Sequence, residues 1–192
     1  MRIIAGAARG INLETPKGLA VRPTAGRSRK ALFDSLGDFA GLTVIDLCAG
    51  SGALGLEAVS RGAAEAVLIE RDRRHAALIE QNAAAVAKAG AAGRVRVVNG
   101  DVRDSRSWRG VRPDLIFADP PYAESAVFFC DLMADERFLS ETAGALLVWE
   151  IPDAPGSLGP FLERSKLVDQ VVRNFGGTEF LIGFMPEKGG AR

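Results

Sequence analysis

The sequence predicts one α/β domain with a doubly wound, mostly parallel sheet that ends in an antiparallel hairpin. The chain has 192 residues, 47% hydrophobic and 25% charged, which suits a single globular domain. Between residues 42 and 150, short apolar runs alternate with runs at helical spacing, and this pattern is typical of parallel strands joined by right-handed crossovers. A Gly-Gly pair then separates two strand-like runs with no helix between them.

The elements follow from local patterns in chain order. The apolar residues flanking Gly6 and Gly10 favour a small N-terminal hairpin, and Leu32, Phe33 and Leu36 predict a helix over 28–39. Prolines and glycines over 152–160 predict a loop. The remaining predicted strands cover 42–47, 66–70, 94–98, 114–118, 145–150, 166–175 and 178–185, with helices at 53–61, 73–89 and 124–133.

Charge is distributed unevenly along the chain although its formal net charge is zero. The first thirty residues carry seven basic side chains against Glu14 alone, a net +6, so the remainder carries −6. We expect a basic, phosphate-binding N-terminal arm or hairpin over 1–27, the main α/β domain over 28–187 and a flexible tail over 188–192. A solvated N-terminus is the alternative.

A glycine loop joins the first crossover strand to its helix. Gly50, Gly52 and Gly55 form G-x-G-x-x-G, and Glu70 stands twenty positions after Gly50. This spacing fits a dinucleotide site and equally another adenosine ligand. Asp46, which ends the first strand, separates the two, because a pyrophosphate beside it would be repelled by about 1–4 kcal/mol at 4 Å.

The acids therefore favour a cationic ligand such as S-adenosylmethionine, with its ammonium and sulfonium groups. Asp101, after the third strand, is a further acid suited to an adenine amino group. The alternatives are structural: Asp46 would cap the amides of the loop, and Glu70 would be a solvated strand end.

The fourth strand ends in Asp119-Pro120-Pro121-Tyr122. Two prolines fix two φ angles and remove two amide donors, so the strand end presents rigid acceptors: the Asp119 carboxylate and nearby carbonyls such as that of Pro120. Two acceptors would grip the hydrogens of an exocyclic base amine and aim its lone pair at a methyl group. Tyr122 would offer a flat face for an unstacked base. A plain turn capped by Asp119 is the alternative.

This tetrad resembles the (D/N)-P-P-(Y/F/W) motif of amino-group methyltransferases, and the glycine loop resembles their cofactor motif. Met1 to Gly6, Arg9-Gly10 and Arg22-Pro23-Thr24, with Arg27, Arg29 and Leu32-Phe33, are similar to the bacterial ribosomal RNA small-subunit methyltransferase D family. The resemblance runs from Met1 to about Glu187. Ala8, Lys30 and Ala25-Gly26 depart from the family pattern.

The resemblance implies a Rossmann-like class I methyltransferase that methylates guanine N2 in 16S rRNA, with S-adenosyl-L-methionine as cofactor, S-adenosyl-L-homocysteine as product and no metal. We expect catalysis by Asp119, Pro120 and Tyr122. The expected cofactor ligands are Asp46, Gly50, Gly52, Glu70, Asp101 and Val102. The expected RNA contacts are Arg9, Arg22, Thr24, Arg27 and Arg29.

We expect a cytoplasmic monomer acting on small-subunit rRNA or an assembling 30S particle, and no membrane association, since the chain has no long apolar run and no signal-peptide core. Two alternatives stay open: methylation of another planar amine, either adenine N6 or a protein glutamine, and an inactive RNA-binding assembly factor.

Overall fold

The computed structural model describes residues 1–16 and 24–187. The predicted tail at 188–192 and Arg22 lie outside the described residues, as does the side chain of Thr24. The boundary expected at residue 27 falls inside the first helix, which begins at Thr24.

A seven-stranded sheet forms the centre of the molecule, in the order β3-β2-β1-β4-β5-β7-β6. Strands β1 to β5 are parallel, and β7 runs antiparallel between β5 and β6, which confirms the predicted terminal hairpin. The strands are β1 (Thr43–Asp46), β2 (Glu65–Glu70), β3 (Arg94–Asn99), β4 (Leu115–Ala118), β5 (Leu146–Ile151), β6 (Val168–Phe175) and β7 (Thr178–Phe184).

Six α-helices are described, together with a single 3-10 turn at Ser105–Ser107. Within the described ranges, none is long and apolar enough to span a membrane. The helices are α1 (Thr24–Leu36), α2 (Ala53–Ser60), α3 (Arg73–Lys88), α4 (Tyr122–Ala134), α5 (Glu136–Glu141) and α6 (Gly159–Arg164).

Alternate strand residues bury against opposite layers of helices, as a doubly wound sheet requires. On β1, Val44 packs in one cluster with Phe33 of α1, whereas Ile45 packs on the other face in a cluster with Phe129 of α4. On β2, Leu68 joins Leu56 of α2. Both faces are therefore covered, and ligands have access at the carboxyl ends of the parallel strands.

Three helices differ from the prediction. Helix α1 begins four residues early and ends at Leu36, because Gly37 adopts a left-handed φ of 86°. Helix α5 lies in a stretch without a predicted element, and its start is capped by Asp135, which accepts from the amides of Arg137 and Phe138. Helix α6 replaces the end of the predicted 152–160 loop, since Pro160 sits in its first turn, where proline is tolerated.

The N-terminal hairpin is docked on α2 and α3. The Ile3 amide donates to the Ile11 carbonyl (2.9 Å), and Ile3 is buried with Leu56. The amides of residues 4 and 5 donate to the fully buried carboxylate of Glu57, at 2.7 and 3.0 Å. A Cβ on Gly6 would lie 1.8 Å from the Ser60 carbonyl oxygen, so only glycine fits this approach.

Candidate active site

Five acids lie at or close to the carboxyl ends of the five parallel strands, at one edge of the sheet: Asp46, Glu70, Asp101, Asp119 and Glu150. The parallel register pairs Asp46 with Phe117 and Ala118 with Trp149. Continuing it by one residue places Glu150 beside Asp119. The negative charges of Asp119 and Glu70 act on Asp46, so these carboxylates share one crevice.

The glycine loop turns tightly at this edge. Gly50 and Gly52 adopt φ values of 57° and 78°, in the left-handed region that favours glycine. A Cβ on Gly52 would lie 3.0 Å from Ile79 of α3 and one on Gly55 would lie 2.9 Å from Leu68 of β2, so these two glycines let the start of α2 approach both elements. A Cβ on Gly50 would meet nothing within 4 Å, so this part of the loop faces open space.

Asp46 is 1% exposed, and its carboxylate faces the loop amides of Gly55 and Cys48. Its Oδ2 accepts from the Gly55 amide (3.1 Å), whereas its Oδ1 has no hydrogen-bond partner in the described part of the chain. Burial raises the pKa of Asp46 to about 7, and the charges of Asp119 and Glu70 add to the rise. A buried carboxylate with an unpartnered oxygen suits a cationic ligand.

Glu70 also holds the loop. Its Oε2 accepts from the Gly50 amide (2.9 Å), and its Oε1 accepts from the Asp72 amide (2.8 Å). His75 Nδ1 lies 3.9 Å from Oε1. The structural role considered for Asp46, bonding to the amides of the loop, is thus present, whereas Glu70 bonds to two amides and is not a solvated strand end. These bonds fix both carboxylates at the crevice.

Asp101 is engaged by an arginine. Arg103 donates to both of its oxygens, at 2.8 and 3.1 Å, and these bonds lower the pKa of Asp101. The guanidinium of Arg103 lies 4.8 Å from the ring centroid of Phe128 on α4. The neighbouring Val102 is buried, and its carbonyl accepts from the Trp108 indole (2.8 Å). An adenine amine at Asp101 would therefore share the carboxylate with Arg103.

The tetrad leads directly into α4. Asp119 is exposed and Pro120 buried, while the Pro121 carbonyl accepts from the Glu124 amide (2.9 Å). Tyr122 is half-buried, and its hydroxyl donates to Glu150 Oε1 (3.2 Å). The tyrosine ring is thus tied to the end of β5.

The predicted RNA-binding residues differ in exposure to solvent. Arg9 is exposed beside the end of α2, where the Ala8 amide donates to Ser60 Oγ (2.9 Å). Arg27 is exposed near the start of α1, beside Ser28, whose Oγ donates to the Gly176 carbonyl at the crevice edge (3.3 Å). Arg29 is only 7% exposed and donates to the Arg2 carbonyl, and burial lowers its pKa. Arg29 holds the hairpin instead of facing solvent, so we leave it out of the RNA surface.

The opposite edge of the sheet carries a basic cavity of about 360 Å³. Arg94 of β3 lies there, 4.0 Å from Glu65, the one acid among the described lining residues. The other basic residues of this cavity are Arg96, Arg109 and Arg112.

Glu150 is a candidate site residue that the sequence interpretation missed. The signal was present, because Glu150 ends a predicted strand in the same way as Asp46 and Glu70 do. Only the strand order reveals that it lies beside the tetrad, since β5 pairs with β4.

Comparison with known proteins finds sequence relatives that are named as rRNA methyltransferases. A family model described as conserved hypothetical protein 95 matches residues 1–171. The ribosomal RNA small subunit methyltransferase D of Escherichia coli is 35% identical over 178 residues, 90% of this chain and 87% of that protein. The putative rRNA methyltransferase YlbH of Bacillus subtilis is 29% identical over 169 residues, 82% and 89% of the two chains.

Solved structures agree on the fold. The putative methyltransferase yhhF from Escherichia coli aligns with a TM-score of 0.73 at 30% identity, over 98% of this chain and 99% of that one. An RNA methyltransferase from Salinibacter ruber in complex with S-adenosyl-L-homocysteine aligns with a TM-score of 0.59 at 18% identity, over 94% and 98%. The predicted class I methyltransferase sheet is confirmed.

Proposed function

This chain belongs to the ribosomal RNA small subunit methyltransferase D family, and we propose that it transfers a methyl group from S-adenosylmethionine to the exocyclic N2 amine of a guanine in small-subunit (16S) ribosomal RNA. The observation that carries the proposal is the position of Asp119 and Tyr122 at the end of β4, beside the crevice that holds Asp46 and Glu70. Acceptors for an amine and acids for a cationic cofactor thus meet at one edge.

The crevice residues fit S-adenosylmethionine. Asp46 Oδ1 is a buried acceptor without a described partner, suited to an ammonium group, and the space at Gly50 admits a ligand against the backbone. Glu70 would accept from the ribose hydroxyls, and Asp101 and Val102 would flank the adenine. Bound there, the cofactor supplies an electrophilic methyl group.

The chain's own residues prepare the amine. The Asp119 carboxylate accepts one N–H of the target amine, and the Pro120 carbonyl is the proposed second acceptor. Together they localise the nitrogen lone pair and offset the positive charge that develops on nitrogen. Tyr122 stacks on the flipped base, which is worth about 1–3 kcal/mol. The amine proton then leaves through the exposed side of Asp119 to water.

RNA would be held partly by the N-terminal segment. Arg9 and Arg27 are exposed and are the described candidates for phosphate contacts, and we add Arg22 and Thr24 on the family resemblance alone. Their cations would offset the acidic crevice that the RNA must approach.

The test is incubation with labelled S-adenosylmethionine and three substrates, namely unmodified small subunits, naked 16S rRNA and DNA, followed by nucleoside mapping. We expect N2-methylguanosine at a single rRNA position. Methylated adenine, or label in protein, would replace the proposal with one of the other amine substrates. Tight RNA binding with no methyl transfer would indicate an assembly factor.

A further inference from the structure

The register of β4 and β5 places a second carboxylate, that of Glu150, next to the proposed site of the target amine. Ala118 pairs with Trp149, so Asp119, the first residue after β4, lies beside Glu150, which is still paired with Phe180 of β7. Neighbouring strands lie about 4.8 Å apart, and side chains in register point to the same face. Both acids therefore lie at the same edge of the sheet, next to Tyr122, whose hydroxyl reaches Glu150.

Glu150 is held in place from two directions. The Tyr122 hydroxyl donates to its Oε1 (3.2 Å), and the preceding residue, Trp149, is buried and donates to Ser125 Oγ of α4 (3.0 Å). A carboxylate has about four acceptor positions, so the bond from Tyr122 leaves it able to accept further hydrogen bonds.

We propose that Glu150 determines base specificity by accepting the N1–H of guanine while Asp119 accepts the N2 amine. This inference rests on the proposed function. N1 and N2 are attached to the same ring carbon and both donate, so two adjacent carboxylates match them. Adenine presents an unprotonated N1 beside its amine, and the Glu150 carboxylate would confront that nitrogen acceptor to acceptor.

The size of this discrimination follows from general experience with polar recognition. A site built to hydrogen-bond a substrate N–H rejects an analogue without it by about 10⁴-fold or more. Glu150→Gln replaces the hydrogen-bond acceptor that faces N1 by a donor. The amide oxygen can keep the bond from Tyr122, while the amide nitrogen donates toward N1.

The experiment compares guanine with 2-aminopurine at the nucleotide that the wild-type protein methylates. 2-Aminopurine keeps the N2 amine but has no proton on N1. We expect the wild type to prefer guanine by about 10⁴-fold in kcat/KM, and Glu150→Gln to shrink that preference at least about tenfold. The absence of O6 from 2-aminopurine affects both proteins alike, so the change in the ratio isolates Glu150.

The matched control is Asp153→Asn, which removes an exposed acid three residues further along the chain and should leave the ratio unchanged. Glu150→Asp, which keeps a shorter carboxylate, should retain the guanine preference, and it provides a second variant if the glutamine variant is unstable. An unchanged ratio in folded Glu150→Gln would overturn the role of Glu150. If the wild type does not form N2-methylguanosine, the proposed function itself fails, and that is seen without any variant.

Discussion

Asp119 follows β4 on the exposed side of the crevice. In the proposed chemistry it accepts a hydrogen bond from the target amine and does not contact the cofactor. We therefore expect Asp119→Ala to lower the methyl-transfer rate by about 10²–10³, because the variant has no carboxylate to stabilise the transition state. Affinity for S-adenosylmethionine, measured by calorimetry, should stay within a few-fold.

Asp119→Asn is the matched variant, because it keeps a carbonyl acceptor and the related motif accepts either residue. It should retain more activity than the alanine variant. If Asp119→Ala kept more than about a tenth of wild-type turnover, Asp119 would have no catalytic role.

Asp46 makes cofactor binding depend on pH. Its pKa is raised to about 7 in the ligand-free protein, so the folded state holds a proton that the unfolded state releases near pH 4. The free energy of unfolding therefore falls as the pH rises from about 4 to about 7, because Asp46 has to ionise in the buried site. A bound ammonium group would compensate the cost of that buried negative charge. We expect affinity for S-adenosylmethionine to weaken about tenfold from pH 7 to pH 5.5, as Asp46 takes up its proton.

His75 is the control position, because its Nδ1 lies 3.9 Å from Glu70 Oε1 in the same crevice. Titrations of His75→Ala should show the same pH dependence as the wild type. A flat profile in the wild type would mean that the ammonium does not bind at Asp46.

At the scale of elements, the N-terminal hairpin depends on its approach to α2. Gly6→Ala places a Cβ 1.8 Å from the Ser60 carbonyl oxygen, whereas Gly10→Ala meets only the Arg2 guanidinium, at 3.3 Å. Both glycines have left-handed φ values, 79° and 94°, so both variants bear a backbone cost of about 1–2 kcal/mol. We expect Gly6→Ala to lose about 2 kcal/mol or more beyond Gly10→Ala in chemical denaturation. Equal losses would show that the hairpin does not pack on α2 in solution.

The elements that the sequence predicts correctly are those whose apolar residues are consecutive or regularly spaced. Strand β2 and helix α3 are of this kind, and Gly176-Gly177 marks the final hairpin. Helices α5 and α6 have six residues each, too few to display a period, and α6 follows a run of prolines and glycines.

Site residues follow a similar rule. Asp46, Glu70 and Asp119 are predictable because each lies at the end of a strand, and such ends meet at one edge. The burial of Arg29 against the hairpin and the pairing of Arg103 with Asp101 depend on the folded arrangement of the chain, which local patterns do not contain.

At the scale of the whole molecule, two sets of arginines are candidates for the RNA-binding surface. The slope of log affinity against log salt is negative, and replacing Arg9, Arg22 and Arg27 together by alanine should reduce its magnitude by about 2–3. Each phosphate that the variant no longer neutralises accounts for roughly 0.7–0.9 of this change. The matched control replaces Arg96, Arg109 and Arg112, which line the cavity at the opposite edge. RNA binding at several salt concentrations measures both slopes. A reduced slope in the control triple variant alone would move the RNA surface to that cavity.

The close approach of Gly55 to Leu68 also constrains how the family can vary. A methyl group at position 55 would lie 2.9 Å from a leucine side chain that is itself fully buried, so position 55 cannot take a larger residue unless the leucine or the glycine loop shifts. In an alignment of relatives, a larger residue at position 55 should therefore accompany a smaller one at position 68. Evolution of the glycine loop is then coupled to a buried residue of the neighbouring strand β2.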